Sequence, residues 1–278
     1  MSLTDAHVHF WNTELMPCPW LSGVPAIAHA HTPADLRAEA AQEMPSRIIF
    51  VDCGSPWLDE VRWVEGLAKA EPRIRGIVAK ATVNAGAQTV AALAELGRHP
   101  LVRGVRHNFE DERDPDYCVR PAFLEGVGRL AAAGLSFDIC CKHHQLASVV
   151  ELVRRTPETT FVLDHGGKPG IRAGLLDPWR AHIRALAALP NAVCKFSGLV
   201  TEADRENWTP AQLQPYVSTL LDSFGPARLL FGGDWPVVKL AATYPRWLDT
   251  ARAMTAHLSA AERAAIFDQN AARVYRIA

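Results

Sequence analysis

The chain has 278 residues, 49% hydrophobic and 21% charged, with 29 Lys+Arg against 30 Asp+Glu for a formal net charge of −1. These proportions exclude disordered, collagenous and low-complexity chains, and the positive excess that a nucleic-acid binder uses to neutralise phosphates is missing. No run of 18 apolar residues could span a membrane, and no basic segment leads into an apolar stretch at the N-terminus, so a cytoplasmic protein without a membrane partner is expected.

Short β-branched or apolar runs alternate with longer Ala/Leu/Arg-rich segments of helical spacing. The first run, 3–9, ends His7-Val8-His9 and leads into an irregular Pro/Trp-rich stretch, 10–31, with Pro17, Pro19, Trp20 and Pro25. A loop of that length inside a compact domain reads as a lid. A helix is predicted over 33–43, opened by Thr32-Pro33, where Pro costs no hydrogen bond. Strands at 47–53, 74–83 and 102–107 then alternate with helices at 57–70, 87–98 and 121–133, the last closed by Gly134. Strands at 135–141, 160–165, 192–197 and 228–231 alternate with helices at 146–155, 178–189, 210–224 and 245–257. Asp177-Pro178 and Thr209-Pro210 repeat the Pro start signal, and Ser259 with Glu262 forms a capping box for a final helix over 259–275.

Eight strand–helix repeats without a linker predict an α/β fold, a single-domain (β/α)8 barrel over 1–278 with a lid-like insertion at 10–31. The competing open doubly wound sheet would carry a Gly-rich turn after its first strand, where this chain reads His7-Val8-His9-Phe10-Trp11. Cys18, Cys53, Cys118, Cys140, Cys141 and Cys194 show no C-x-x-C spacing and lie mostly in apolar runs, so free thiols in a reducing compartment are expected.

Strand C-termini converge on the open mouth of a parallel barrel. His7 and His9, two apart on a strand, share a face and can hold one metal ion or present two N–H donors to one oxygen. His165 and Asp234 end two other strands. Asp234 follows two glycines that would let backbone approach a ligand closely, and burial would raise its pKa toward that of a working general base. A helix N-cap is its structural alternative. Arg106, on an apolar strand, needs a partner: an anionic or polyhydroxylated substrate, or a buried acid such as Asp138. His143 is the inward candidate of Lys142-His143-His144, and Lys195 forms either a charged wall of the site or an ion pair. Asp164, beside His165, is expected by alternation to point away from the cavity. Trp57, Trp63, Trp179 and Trp247, on helical stretches, are expected to pack. No G-x-S-x-G elbow supports a Ser-His-Asp hydrolase.

Several motifs occur in order: DAHVHFW at 5–11, PWL at 19–21, RGVRH at 103–107 and FDI at 137–139, then DHGGKP at 164–169, KFSGL at 195–199, FGGDWP at 231–236 and NAARVY at 270–275. Together they resemble the lactonase branch of the amidohydrolase superfamily, which holds L-fuconolactonase-like, L-rhamnonolactonase-like and 2-pyrone-4,6-dicarboxylate lactonases. The resemblance implies a distorted (β/α)8 barrel that hydrolyses a small-molecule lactone. Asp234 would be the base for water, His7, His9 and His165 would polarise the carbonyl, and Arg106 would bind substrate. Many members of the superfamily bind divalent ions through the positions of His7, His9, His165 and Asp234. A binuclear site would place a bridging Lys or Glu where this chain has Arg106-His107, whose cation would repel a second metal. A binuclear site is therefore not expected, and because the resemblance includes lactonases held to work without a metal, it implies no required cofactor, with any Zn weakly held or adventitious. One secure arginine favours a neutral sugar lactone of L-fucono or galactono type over the pyrone dicarboxylate, with Trp20, Trp235 and His143 suited to stacking and hydroxyl recognition. The alternatives are a 2-pyrone-4,6-dicarboxylate-type lactonase or a metal-dependent decarboxylase of the same superfamily, with a non-catalytic scaffold as the rival class. A homo-oligomer is compatible with all of these readings.

Overall fold

A computed structural model of the chain describes residues 2–84 and 86–277. Among these residues, β1 (Thr4–Val8), β2 (Arg47–Val51), β3 (Ile74–Lys80), β4 (Val102–Asn108), β5 (Ser136–Cys140), β6 (Phe161–Leu163), β7 (Ala192–Phe196) and β8 (Leu229–Phe231) form one sheet in sequence order. Every neighbouring pair is parallel. The helices between them are α1 (Pro33–Ala40), α2 (Trp57–Ala70), α3 (Ala87–Leu96), α4 (Pro121–Ala132), α5 (Leu146–Arg155), α6 (Trp179–Ala187), α7 (Pro210–Phe224) and α8 (Tyr244–Met254). The circle closes just past β8, where Asp234 N–H donates to the His7 carbonyl (2.8 Å) and His9 N–H to the Trp235 carbonyl (2.7 Å). The architecture is the predicted (β/α)8 barrel.

Each strand is buried on both faces, which is why the sequence shows apolar runs rather than clean alternation. Outward side chains such as Val8, Phe50, Ile77, Val105, Phe137, Phe161, Phe196 and Phe231 join the shell beneath the helices. Inward ones, Ala6, Ile49, Val51, Val78, Val162, Val193 and Leu230, form a second cluster with Ala271, Val274, Tyr275 and Ile277 of the C-terminal segment.

Helix starts follow the capping chemistry at Thr32, whose N–H and hydroxyl both donate to Asp35 (2.8 and 2.7 Å), and at Ser259, which pairs reciprocally with Glu262. Three expectations change. Helix α6 begins at Trp179 rather than Pro178, because Asp177 bonds the Arg180 side chain instead of capping the first turn. The segment 259–275 is not one helix but α9 (Ala260–Ala264), a π-turn (Ala265–Gln269) and α10 (Asn270–Val274). The wider turn re-phases the face that Ala271, Val274 and Tyr275 present to the inner cluster, and the Asn270 amide anchors it on the Pro226 and Leu229 carbonyls (both 2.8 Å). The stretch 10–31 is built rather than irregular throughout. Trp11 and His31 bridge its base through reciprocal backbone bonds (3.0 and 2.8 Å), and short 3-10 turns occupy Pro19–Gly23 and Pro25–Ile27. The six cysteines are free and buried.

Candidate active site

A bulge in β1 aims the first two histidines. Asp5 pairs with Ile48 and Val8 with Phe50, so one extra residue is accommodated between them. The Asp5 carboxylate pins it, accepting from His7 N–H (2.9 Å) and from Gly233 N–H beyond β8 (2.8 Å). His7 Nε2 then lies 3.1 Å from His9 Nε2. His165 and Asp234 both take positive φ (53° and 54°), a local strain that turns their side chains to the same point. Asp234 Oδ1 stands 3.8 Å from His7 Nε2, 3.7 Å from His9 Nε2 and 3.9 Å from His165 Nε2. Three imidazoles and one carboxylate from three strand ends thus meet around one small volume.

The glycines beside them make room for protein rather than for a ligand. A Cβ on Gly233 would lie 2.4 Å from both Asp5 Oδ2 and the Tyr244 ring, and one on Gly198 would lie 2.5 Å from His165 Nδ1. Nor does Asp234 cap a helix with its side chain, since Val238 N–H bonds the Asp234 backbone carbonyl.

Beneath this cluster runs a buried ionic column. Lys195 Nζ contacts Asp138 Oδ2 (2.7 Å), Asp164 Oδ1 (2.9 Å) and His7 Nδ1 (3.1 Å), and Tyr275 donates its hydroxyl to Asp138 from below (2.6 Å). Asp164 also accepts from Arg106 Nε (2.9 Å), whose Nη1 reaches Asp52 Oδ2 (3.3 Å). Two expectations are corrected here. Asp164 does not point away: it continues the inward parity of Val162, and His165 reaches the interior only through its positive φ. Arg106 pairs with Asp164 and Asp52, leaving Asp138 to Lys195.

Above lies a cavity of about 590 Å³. His9, His165, Asp234, Arg106 and Trp20 line it, as do Asp52, Asn108, Glu110, Lys168 and Thr201. Four of the candidates do not line it. His7 is fully buried behind the cluster. Lys195 is fully buried under His7. Trp235 is also fully buried, donating its indole N–H to Glu39 (3.0 Å). His143 lies half-buried on a turn after β5, with its ring against His144. Sequence reasoning missed Lys168, whose Nζ pairs with Glu110 (2.6 Å). Its signal was its place in the same strand-end run as His165, but the left-handed turn (φ 43°) that folds it back into the cavity was not readable.

Electrostatics sets the protonation states. Burial pushes the Asp234 carboxyl up to about 8, outweighing the nearby Lys168 and Arg106. Burial, aided by Lys195, holds His7 well below the usual imidazole range, and burial lowers His165 and takes His9 to about 3. Burial also opposes charge on Asp164, but Lys195, His7 and Arg106 prevail and keep it ionised. The three imidazoles are therefore neutral, and their hydrogen bonds distinguish them. His9 Nδ1–H donates to the Val51 carbonyl (2.8 Å), so its Nε2 is a bare acceptor. With Lys195 donating to His7 Nδ1, His7 Nε2–H points at His9 Nε2. His165 Nδ1 meets Ser197 Oγ (2.9 Å); when that hydroxyl donates, His165 Nε2–H is free to act as a donor toward the cavity.

The donor set also fits a divalent ion. His7, His9 and Asp234, or His7, Asp164 and His165, offer ligand atoms within 4.8 Å of one another. The bare His9 Nε2 is already a ligand, whereas His7 would have to turn its Nδ1–H to Asp164 Oδ1, 3.3 Å away, against the Lys195 contact.

The chain is similar to known proteins along its whole length. A family profile described as amidohydrolase matches residues 4–277. An L-fucono-1,5-lactonase of Burkholderia multivorans (strain ATCC 17616 / 249) is 36% identical over 291 residues, covering 98% of this chain and 95% of that protein. An L-fucono-1,5-lactonase of Burkholderia ambifaria is 31% identical, again covering 98% of this chain and 95% of that one. The crystal structure of an amidohydrolase from Burkholderia multivorans with bound Zn superimposes with a TM-score of 0.91 at 34% identity, with full coverage of both chains.

Proposed function

This chain belongs to the amidohydrolase family, and we propose that it is a lactonase opening the ring of a neutral sugar lactone, an L-fucono- or galactono-type aldonolactone, to the aldonic acid. The observation that carries this reading is the convergence of Asp234 Oδ1 with the Nε2 atoms of His7, His9 and His165 at the floor of an open cavity. The names of the two lactonases that match over 98% of the chain support the substrate class.

Asp234 takes a proton from water as the water oxygen attacks the lactone carbonyl carbon. His165 Nε2–H is the available neutral donor for the carbonyl oxygen as it gains charge, and the Arg106 guanidinium and Lys168 ammonium add positive potential from the cavity wall. Collapse of the tetrahedral adduct breaks the bond to the ring oxygen, and Asp234 returns its proton there, so water is consumed and the base regenerated. His7 and His9 hold each other through their Nε2 atoms and keep the base desolvated. A divalent ion bound by His7, His9 and Asp234 would polarise the carbonyl and acidify water. We propose that turnover does not require one, because the Lys195 contact favours the His7 tautomer whose Nε2 is protonated. The insertion at 10–31 acts as a lid on this reading, with Trp20 at the rim donating its indole N–H to the Cys53 carbonyl (2.8 Å).

A pH-indicator assay over a lactone panel tests the proposal. Sugar aldonolactones should turn over and 2-pyrone-4,6-dicarboxylate should not. Turnover confined to the pyrone, or to loss of carbon dioxide from an aromatic acid, would overturn it.

A further inference from the structure

A second hollow of about 320 Å³ adjoins the catalytic cavity at the C-terminal face, between the segments that follow β3 and β4. Asp52, Arg106 and Asn108 wall both spaces, so the Arg106–Asp52 ion pair forms a sill between them. The chemistry described so far uses nothing beyond that sill.

Four groups in the hollow have unused hydrogen-bonding capacity among the described residues. Trp57 lies half-exposed at the start of α2, and its indole N–H has no acceptor there. Trp11, Trp20, Trp179, Trp208, Trp235 and Trp247 donate theirs to protein acceptors, while Trp63, further along α2, shares with Trp57 the lack of one among the described residues. Lys80, in register with Arg106 across β3 and β4, is exposed and has no ion-pair or hydrogen-bond partner among the described residues. The Asn108 amide oxygen is held by Glu110 N–H (2.9 Å), which leaves its NH₂ unbonded, and the Thr82 hydroxyl is likewise unengaged. The charged side chains lining the hollow are two of each sign, Lys80 and Arg106 against Asp52 and Glu112, with Arg106 on Asp52 (3.3 Å) and the His107 imidazole, its pKa lowered by burial, on Glu112 (3.3 Å). An aromatic wall beside amide, hydroxyl and amine donors, without a net field, suits a neutral polyhydroxylated ring rather than a carboxylate or an alkyl chain.

We propose that the two hollows form one cleft and that the preferred substrate is an aldonolactone carrying a second, glycosidically linked neutral sugar, the lactone ring at Asp234 and the second ring against Trp57. This rests on the lactonase reading above. A typical small-molecule site encloses about 300–1,000 Å³, and the two hollows taken as one cleft stay within that range.

The test compares kcat/KM of the purified full chain on a one-ring aldonolactone and on a two-ring one with a neutral second sugar. The two-ring substrate should be favoured by about tenfold or more, the worth of one or two net hydrogen bonds. Lys80→Ala, on an exposed side chain without a hydrogen bond or ion pair among the described residues, should remove a few-fold of that preference through KM while leaving the one-ring rate unchanged. Trp57→Ala should remove most of it. Equal turnover of both lactones, rejection of the two-ring one, or equal losses on both substrates in Lys80→Ala overturns this inference and leaves the lactonase reading standing. Absence of turnover on any lactone overturns that reading and this inference with it.

Discussion

Burial pushes the Asp234 carboxyl up to about 8, whereas a general base must be ionised. The rate of lactone hydrolysis should therefore rise with pH through about 8 and level off above it, which a kcat/KM profile from pH 6 to 9.5 will read. Asp234→Asn should lower turnover by at least about 10²–10³, the scale of a lost transition-state-directed group. It should also stabilise the fold at neutral and alkaline pH. A carboxyl whose folded pKa lies above its unfolded value contributes most below the unfolded value, and that contribution is lost as pH rises through about 8. The melting-temperature gap between the Asp234→Asn variant and wild type should accordingly widen from pH 5 to pH 9; a gap independent of pH would contradict the assigned burial. Lys195 acts differently. It sits in no cavity, yet it counters two buried carboxylates and fixes the His7 tautomer. Lys195→Met should cost about 3–5 kcal/mol of stability, as expected when one partner of a buried ionic cluster is removed. If that tautomer makes metal dispensable, exhaustive chelation will leave wild-type turnover intact at substoichiometric metal content. Loss of activity that Zn alone restores would defeat the metal-free mechanism.

Elements position these residues through departures from regular geometry. At the end of β6, His165 turns inward with a left-handed backbone, and Gly198 after β7 leaves space for its ring. Gly198→Ala should displace His165 and reduce kcat by about 10², by analogy with loss of one oxyanion donor, while circular dichroism keeps its native shape. The insertion after β1 contributes Trp20 to the rim, where its ring packs edge-on against Trp11 rather than on the imidazoles, so Trp20→Ala should raise KM several-fold with little change in kcat, measured by initial rates. These same departures mark the limit of sequence reasoning. Period-two alternation puts His7 and His9 on one face, and the bulge after Asp5 keeps both inward, but alternation misplaces Asp164, which follows the true parity of β6. For Lys195 the ion-pair alternative holds, and Trp235, suited by its ring to stacking on a ligand, is buried instead; what decides both is tertiary, the acids of the column and the Glu39 acceptor on α1.

For the molecule as a whole, the alternation of eight apolar runs with helical segments and the absence of a Gly-rich first turn pointed to an eight-stranded parallel barrel, which closure leaves without an edge strand. What no local pattern carries is how distant side chains share partners. Asp138, Lys195 and Tyr275 meet across 137 positions of chain, and Asp5 reaches Gly233 across 228. Closure itself has a consequence. The first strand is joined to the chain beyond the last by backbone bonds from His9 and Asp234 and by the Asp5 carboxylate, so the barrel is fastened at the very residues on which the proposed mechanism relies. Any thermal loosening that begins along this junction would pull the histidines off the aspartate while the helices still stand. Incubated at rising temperature, the enzyme should lose turnover several degrees before its helical signal fades, and amide protons of His9 and Asp234 should exchange sooner than those in the middle of β4.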